Sequence, residues 1–325
     1  MKKILITGAA GYIGSVLTRQ LINKGYYIIG YDNLKFGGES LLSIFNNPRF
    51  KFIKGDIRNL QNLYEVLTNE IYGVIHLAAI VGDPACAKEP QLAKEVNWEA
   101  SKNLFDICNS KTNVVRFIFA STCSNYGKMP GDIYLNENSP LNPVSLYAEL
   151  KVKFEEYLLR SETRENFFPT SLRFATVYGI SPRMRFDLTV NEFMRDVTLG
   201  KELKIFGEQF WRPYCHVEDL ARACIFALEA KEEKVNQNVF NVGETSENYT
   251  KKMIAEEILK IIPDAKISYV HKEEDPRDYK VDFSKIKNEL GFFITKKVPD
   301  GLNEIYNLVK IGILDDPCSK KFSNS

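Results

Sequence analysis

Through the first half of the chain, short apolar runs alternate with longer stretches of helical period. The runs at 3–7, 27–31, 50–54, 73–77 and 115–120 are rich in Ile, Val, Phe and Tyr, and each predicts a strand. Between them, the stretches at 11–24, 59–69 and 90–110 repeat apolar residues every three to four positions and predict helices. Strand–helix alternation of this kind builds βαβ units, hence a parallel sheet covered on both faces. A helix over 145–164 and a strand over 170–177 continue the series.

Beyond residue 180 the rhythm loosens. Helices are predicted over 188–198, 217–229, 250–262 and 300–311, with short strands over 203–206, 239–242 and 267–270. The expected fold is therefore α/β: a doubly wound parallel sheet of Rossmann type over residues 1–180, then a smaller mixed α/β substrate domain over 181–314 with segments returning to the first domain. Residues 315–325 are polar and read as a frayed tail.

Composition narrows the partners. The 325 residues are 44% hydrophobic and 26% charged, ordinary for a globular protein with a sizeable core. A net charge of +1 without a basic stripe argues against nucleic acid as a partner. No stretch reaches the roughly 18–20 apolar residues of a membrane helix. Six scattered cysteines without a CxxC pair, and three histidines, argue against a metal site. These features predict a reduced, cytoplasmic, soluble protein.

Chemistry enters at Gly8, Gly11 and Gly14, a GxxGxxG directly after the first strand and opening a helix. Such glycines permit a tight turn, let backbone N–H groups approach a pyrophosphate, and let helix pack on strand. Tyr12 and Ile13 lie within this turn. Asp32 ends the second strand, followed by Asn33, where an acid binds ribose hydroxyls and repels a 2′-phosphate; NAD is expected over NADP. Asp56 and Ile57 after the third strand, and Leu77, Ala78 and Ala79 after the fourth, occupy strand ends where open α/β sheets bind ligands.

The chain holds three Tyr-x-x-x-Lys pairs, at Tyr31/Lys35, Tyr147/Lys151 and Tyr306/Lys310. Only Tyr147/Lys151 follows the fifth strand within a helical stretch, where i,i+4 spacing sets both side chains on one face. A lysine ammonium one turn away favours a tyrosinate, which is otherwise scarce at neutral pH.

Together, GxxGxxG, Asp32, Ser121-Thr122 with Tyr126-Gly127, and Tyr147/Lys151 resemble the extended short-chain dehydrogenase/reductases, the NAD-dependent epimerase/dehydratase family of nucleotide sugars. The resemblance spans the chain to about residue 310. It implies that Thr122 hydrogen-bonds the sugar hydroxyl being oxidised, that Tyr147 takes its proton as hydride leaves C4 for NAD, and that Lys151 holds the nicotinamide ribose and acidifies Tyr147. It also assigns Asn97 and Phe174 to the cofactor, and Cys123, Ser124, Arg183, Arg185 and Asn191 to a nucleotide-diphosphate sugar. Arg212 in Trp211–Val217 and Arg277 in the stretch 275–279 correspond to diphosphate-binding arginines, whose forks suit phosphate. A homodimer through helices 90–110 and 145–164 is implied.

Members of the family that dehydrate or decarboxylate resemble one another in an acid just after the catalytic hydroxyl. Cys123 and Ser124 stand there instead. Hydride chemistry remains: 4-epimerisation or net oxidation to a 4-keto sugar. The segments 82–84, 122–127 and 181–191 look most similar to bacterial enzymes oxidising C4 of GDP-linked heptoses for surface polysaccharide. An NADPH-type 4-keto-sugar reductase and a non-catalytic NAD-binding scaffold are the alternatives; Asp32 speaks against the first, the Thr122/Tyr147/Lys151 set against the second. His216 reads as a packing residue and Cys123 as a buried thiol without a redox role.

Overall fold

The apolar runs of the first half form one sheet. The structure, a computed structural model, describes residues 1–111, 113–128, 133–272 and 277–324. Residues 275 and 276, beside Arg277, and Ser325 lie outside the described residues. Seven strands make up the sheet: β1 (Lys3–Thr7), β2 (Tyr27–Asp32), β3 (Phe50–Lys54), β4 (Ile71–His76), β5 (Arg116–Thr122), β6 (Phe168–Phe174) and β7 (Asn238–Val242). Their order is β7-β6-β5-β4-β1-β2-β3, and every pairing is parallel. The order reverses between β1 and β4, the crevice where such sheets bind ligands at their carboxyl ends.

Residues on both faces of the sheet are apolar because both are covered. Helices Tyr12–Asn23 and Val217–Glu229 pack on one face, with Leu17, Leu21, Leu220 and Leu228 in the shared core. Helices Ser101–Ser110 and Leu146–Arg160 cover the other, where Phe105, Phe117, Phe154 and Phe167 meet edge to face. A third core, built from Phe186, Met194, Ile254, Leu302 and their neighbours, belongs to the second half of the chain. That half is not contiguous: Val217–Glu229 and β7 return to the large sheet.

Four departures from the sequence pattern matter for the site. The helix expected over 90–110 is interrupted by a π-helical turn, Glu95–Ala100, which places Asn97 inward. The strand expected over 170–177 breaks at Ala175, and Thr176–Tyr178 pairs instead with Trp211–His216 in a second, three-stranded sheet. A short helix, Asp83–Lys88, follows β4. The last stretch does not fray. Phe322 stacks edge to face on Phe186 at 5.7 Å, and its carbonyl accepts the Phe186 N–H at 2.8 Å. The apolar Phe322 among charged neighbours is the anchor that a reading of polarity alone passes over. Among the described residues, no helix is long and apolar enough to cross a membrane.

Candidate active site

The carboxyl ends of β1, β2, β4 and β5 open into a cavity of about 740 Å³. Its floor is the glycine turn. Gly8 has φ +76°, and a Cβ there would come within 2.8 Å of the Ala78 nitrogen. At Gly14 a Cβ would sit 2.0 Å from the Gly8 carbonyl oxygen, so side chains at either position would displace the turn. Helix Tyr12–Asn23 starts at Gly11 with no side-chain cap, leaving its first N–H groups directed at the cavity.

Asp32 closes one end. Its carboxylate accepts the N–H of Ala10 at 3.1 Å and of Leu34 at 2.8 Å. Burial pushes its carboxyl up, against the pull of these two N–H groups. Asn33 donates weakly to Asp56 at 3.4 Å, and Asp56 also grips Arg58, which holds its carboxyl below the usual range. Between β1 and β4, the Thr7 hydroxyl lies 2.7 Å from Nδ1 of His76, whose Nε2 meets Ser101 Oγ at 2.9 Å. Burial holds His76 down to about 3, so the ring is neutral in this chain of bonds.

At the other end, β5 delivers Thr122 and helix Leu146–Arg160 delivers Tyr147 and Lys151 to the same wall. Thr122 Oγ1 accepts the Ser124 N–H at 3.1 Å and so caps the turn Cys123–Tyr126. Lys151 Nζ donates to the Ala120 carbonyl at 2.7 Å and lies 5.9 Å from the Tyr147 ring centre. Burial lowers the Lys151 ammonium to about 8. The Tyr147 phenol is pushed well up, first by burial and then by the negative charge of neighbours that include Asp83.

Gly8, Gly11, Tyr12, Ile13, Gly14, Asp32, Asn33, Asp56, Ile57, Leu77, Ala78, Ala79 and Phe174 all line this cavity. So do Ser124, Arg183, Arg185, Arg212 and Arg277. The arginines arrive already engaged. Arg185 forks onto Asp187 at 2.9 and 2.7 Å, Arg183 donates to the Ser323 carbonyl at 3.2 Å, Arg212 to the Trp211 carbonyl at 2.7 Å, and Arg277 pairs with Asp83 at 2.8 Å.

Three residues expected on the wall lie behind it. Asn97 spends its amide on the Ile80 backbone, accepting its N–H at 2.8 Å and donating to its carbonyl at 2.9 Å. Asn191 binds the Gly179 N–H at 2.9 Å and the Arg185 carbonyl at 2.8 Å, bracing the substrate segment from within. Cys123 turns into the core, where its thiol meets the Arg173 carbonyl at 3.2 Å and burial pushes its pKa far up. These are positioning residues, each consumed by the backbone it holds. His216 packs wholly buried, 3.0 Å from Glu304.

Beneath Thr122 runs a buried network. Glu155 receives Arg173 at 2.7 and 2.9 Å and the Ser171 hydroxyl at 2.7 Å. Arg173 reaches the Tyr126 hydroxyl at 2.9 Å, which in turn lies 2.8 Å from Asn241. Other wall residues have no individual role in the sequence reading, among them Tyr214, Tyr279, Asn324 and Asp83, the last read only as part of segment 82–84. Asp83 had a signal, an acid straight after a glycine in the segment that follows β4; Asn324 had none.

A family model for the NAD dependent epimerase/dehydratase family matches residues 4–243. The chain belongs to this family. It is 28% identical to a UDP-glucose 4-epimerase of Lactobacillus helveticus over 309 residues, 89% of this chain and 91% of that one. The UDP-glucose 4-epimerase of Thermotoga maritima, solved with UDP-glucose, superposes with a TM-score of 0.83 at 28% identity, covering 96% of this chain and 100% of that one. The UDP-glucuronic acid 4-epimerase of Bacillus cereus, solved with UDP-glucuronic acid and NAD, superposes at 0.82 and 29% identity, covering 95% and 99%. As a family member, the chain is an NAD-dependent enzyme of nucleotide-sugar chemistry. The residues fit that cofactor: a glycine cradle that a Cβ would fill, an uncapped helix end, and an acid presented at the second strand. The subgroup likeness to GDP-heptose enzymes finds no counterpart among these relatives.

Proposed function

We propose that the enzyme abstracts hydride at C4 of a nucleotide-diphosphate sugar and returns it to the opposite face, a 4-epimerisation. One observation carries the reading: Thr122, Tyr147 and Lys151 line the same cavity as the glycine turn and Asp32. Thr122 Oγ1 steadies the C4 hydroxyl and Tyr147 takes its proton. Lys151, with its pKa near 8, stays mostly charged at neutral pH and favours the phenolate. When bound, NAD supplies the hydride acceptor and a positive ring beside Tyr147. Since burial, and after it nearby negative charge, raises the Tyr147 phenol, proton transfer depends on both cations. The glycine turn and helix end would hold the pyrophosphate, and Asp32 the adenosine ribose.

Arg212 and Arg277 would meet the sugar's diphosphate. Cys123, facing the core, and Ser124, a hydroxyl, offer no acid for dehydration. The epimerase names of the relatives above favour a UDP-hexose or UDP-hexuronate. A second reading, net C4 oxidation of a GDP-linked heptose for surface polysaccharide, rests on the wording of segments 82–84, 122–127 and 181–191. The enzyme would work as a cytoplasmic homodimer through the segments 90–110 and 145–164, which light scattering can test. Mass spectrometry of the NAD-supplemented protein with UDP-, GDP-, CDP- and dTDP-sugars decides the reaction. An isobaric product with altered retention means epimerisation. A product two mass units lighter means oxidation, and no product from any sugar would sink the proposal.

A further inference from the structure

Among the described residues, four carboxylates line the cavity: Asp32, Asp56, Asp83 and Asp187. Asp32 and Asp56 sit at the adenosine end, and Asp187 is taken at both oxygens by Arg185. Asp83 stands apart. Gly82, with φ +93°, turns the chain from β4 so that Asp83 opens its short helix toward the cavity. One oxygen accepts the Ser145 hydroxyl at 2.7 Å; Ser145 is also the cap of the helix that carries Tyr147 and Lys151. The other oxygen faces Arg277, across the cavity, at 2.8 Å, and the side chain keeps 26% of its surface open. The acid is therefore fixed beside the reacting end by the same serine that starts the catalytic helix.

We propose that Asp83 sets the class of sugar this site accepts: a neutral pyranose is admitted and one bearing a carboxylate, a hexuronate, is turned away. The proposal rests on the nucleotide-sugar reading above. An ionised carboxylate offers about four acceptor positions. With Ser145 and Arg277 each occupying one, Asp83 can still accept a sugar hydroxyl without losing either partner. A uronate entering beside Tyr147 would meet Asp83 directly or compete with it for Arg277. Either way two carboxylates would share one guanidinium, and like charges so placed discriminate by roughly tenfold or more. Repulsion of the wrong ligand is as effective a source of specificity as attraction of the right one.

Calorimetric titration of the NAD-loaded protein with matched pairs, UDP-glucose against UDP-glucuronate and GDP-mannose against GDP-mannuronate, tests this directly. Wild type should bind the neutral member of at least one pair roughly tenfold or more tightly than its uronate. Asp83→Asn, which keeps the shape and an acceptor for Ser145, should narrow that ratio about tenfold. Because the substitution also releases Arg277, the same change on an Arg277→Gln background must narrow the ratio too. A wild type that binds the uronate equally well, or a ratio indifferent to Asp83→Asn, overturns the assignment while leaving the nucleotide-sugar reading intact. If NAD binds and neither member of either pair does, both fall together.

Discussion

The two ends of the cavity are built in different ways. The cofactor end is local: the glycine turn and Asp32 lie within the first 32 residues, joined by Ala10 donating to Asp32 and Gly8 to the Tyr31 carbonyl. The end proposed for the sugar is assembled from distant pieces, Asp83, Thr122, Tyr147, Arg183, Arg212, Arg277 and Asn324, held by contacts that span most of the chain. Asp83 meets Arg277, Tyr12 meets Gly179, and Arg183 meets Ser323. A local site keeps its shape as long as one βαβ unit folds. A distributed one depends on every element behind it, which makes it easier to respecify and easier to break.

Tyr147→Phe should show the largest effect. It removes the proposed proton acceptor while leaving the glycine turn untouched. Turnover should fall by about 10²–10⁴-fold, the usual contribution of a positioned acid–base group. NAD affinity, read by quenching of Trp or Tyr fluorescence, should stay near wild type. Equal loss of both would mean that the two ends are not separable.

Glu155→Ala strikes the network under Thr122. It strands Arg173 in the core, and breaking one side of a buried pair costs about 3–5 kcal/mol. A urea melt should register that loss, with Thr122 and Tyr126 losing their seat before the cofactor end does. A midpoint that stays put would show that the network is dispensable.

The same contrast explains what could be read from the sequence. The parallel sheet and cofactor end were legible because strand period, glycine spacing and a terminal acid are all short-range patterns. Cys123 and Asn191 look like site residues in the sequence because they lie in segments similar to the family's, and Asn97 because the family resemblance implies it. Whether such a side chain faces ligand or backbone is decided by tertiary packing, here by the π-helical turn, the Arg173 carbonyl and the Gly179 loop. Asp83 and Asn324 could not be placed because their partners lie 62 to 194 positions away for the first and 137 for the second.

Asn97→Ala sharpens the distinction between holding and contacting. The substitution leaves both the N–H and the carbonyl of Ile80 without their partner, a cost of about 1–3 kcal/mol. NAD affinity should weaken only as far as the 77–81 loop loosens, and more NAD should restore full turnover. A defect that saturating NAD does not relieve would give Asn97 a role beyond the loop.

The last effect is a matter of pH. Lys151 titrates near 8 in the folded protein, pushed down from 10.5 by burial, so the folded state releases this proton before the unfolded chain does. Between those values the unfolded state binds more protons, and stability contributed by this group rises with pH. Below 8 both states hold the proton, and the buried charge is a constant cost; above 10.5 neither does. Relative to Lys151→Met, the wild type should therefore gain stability from pH 8 to 10.5, by at most about 1.4 kcal/mol per pH unit. Thermal melts of the two proteins without cofactor measure the difference. Curves that stay parallel across this window would mean that the Lys151 ammonium is not desolvated before NAD arrives, and that the cation favouring the Tyr147 phenolate is already hydrated at rest.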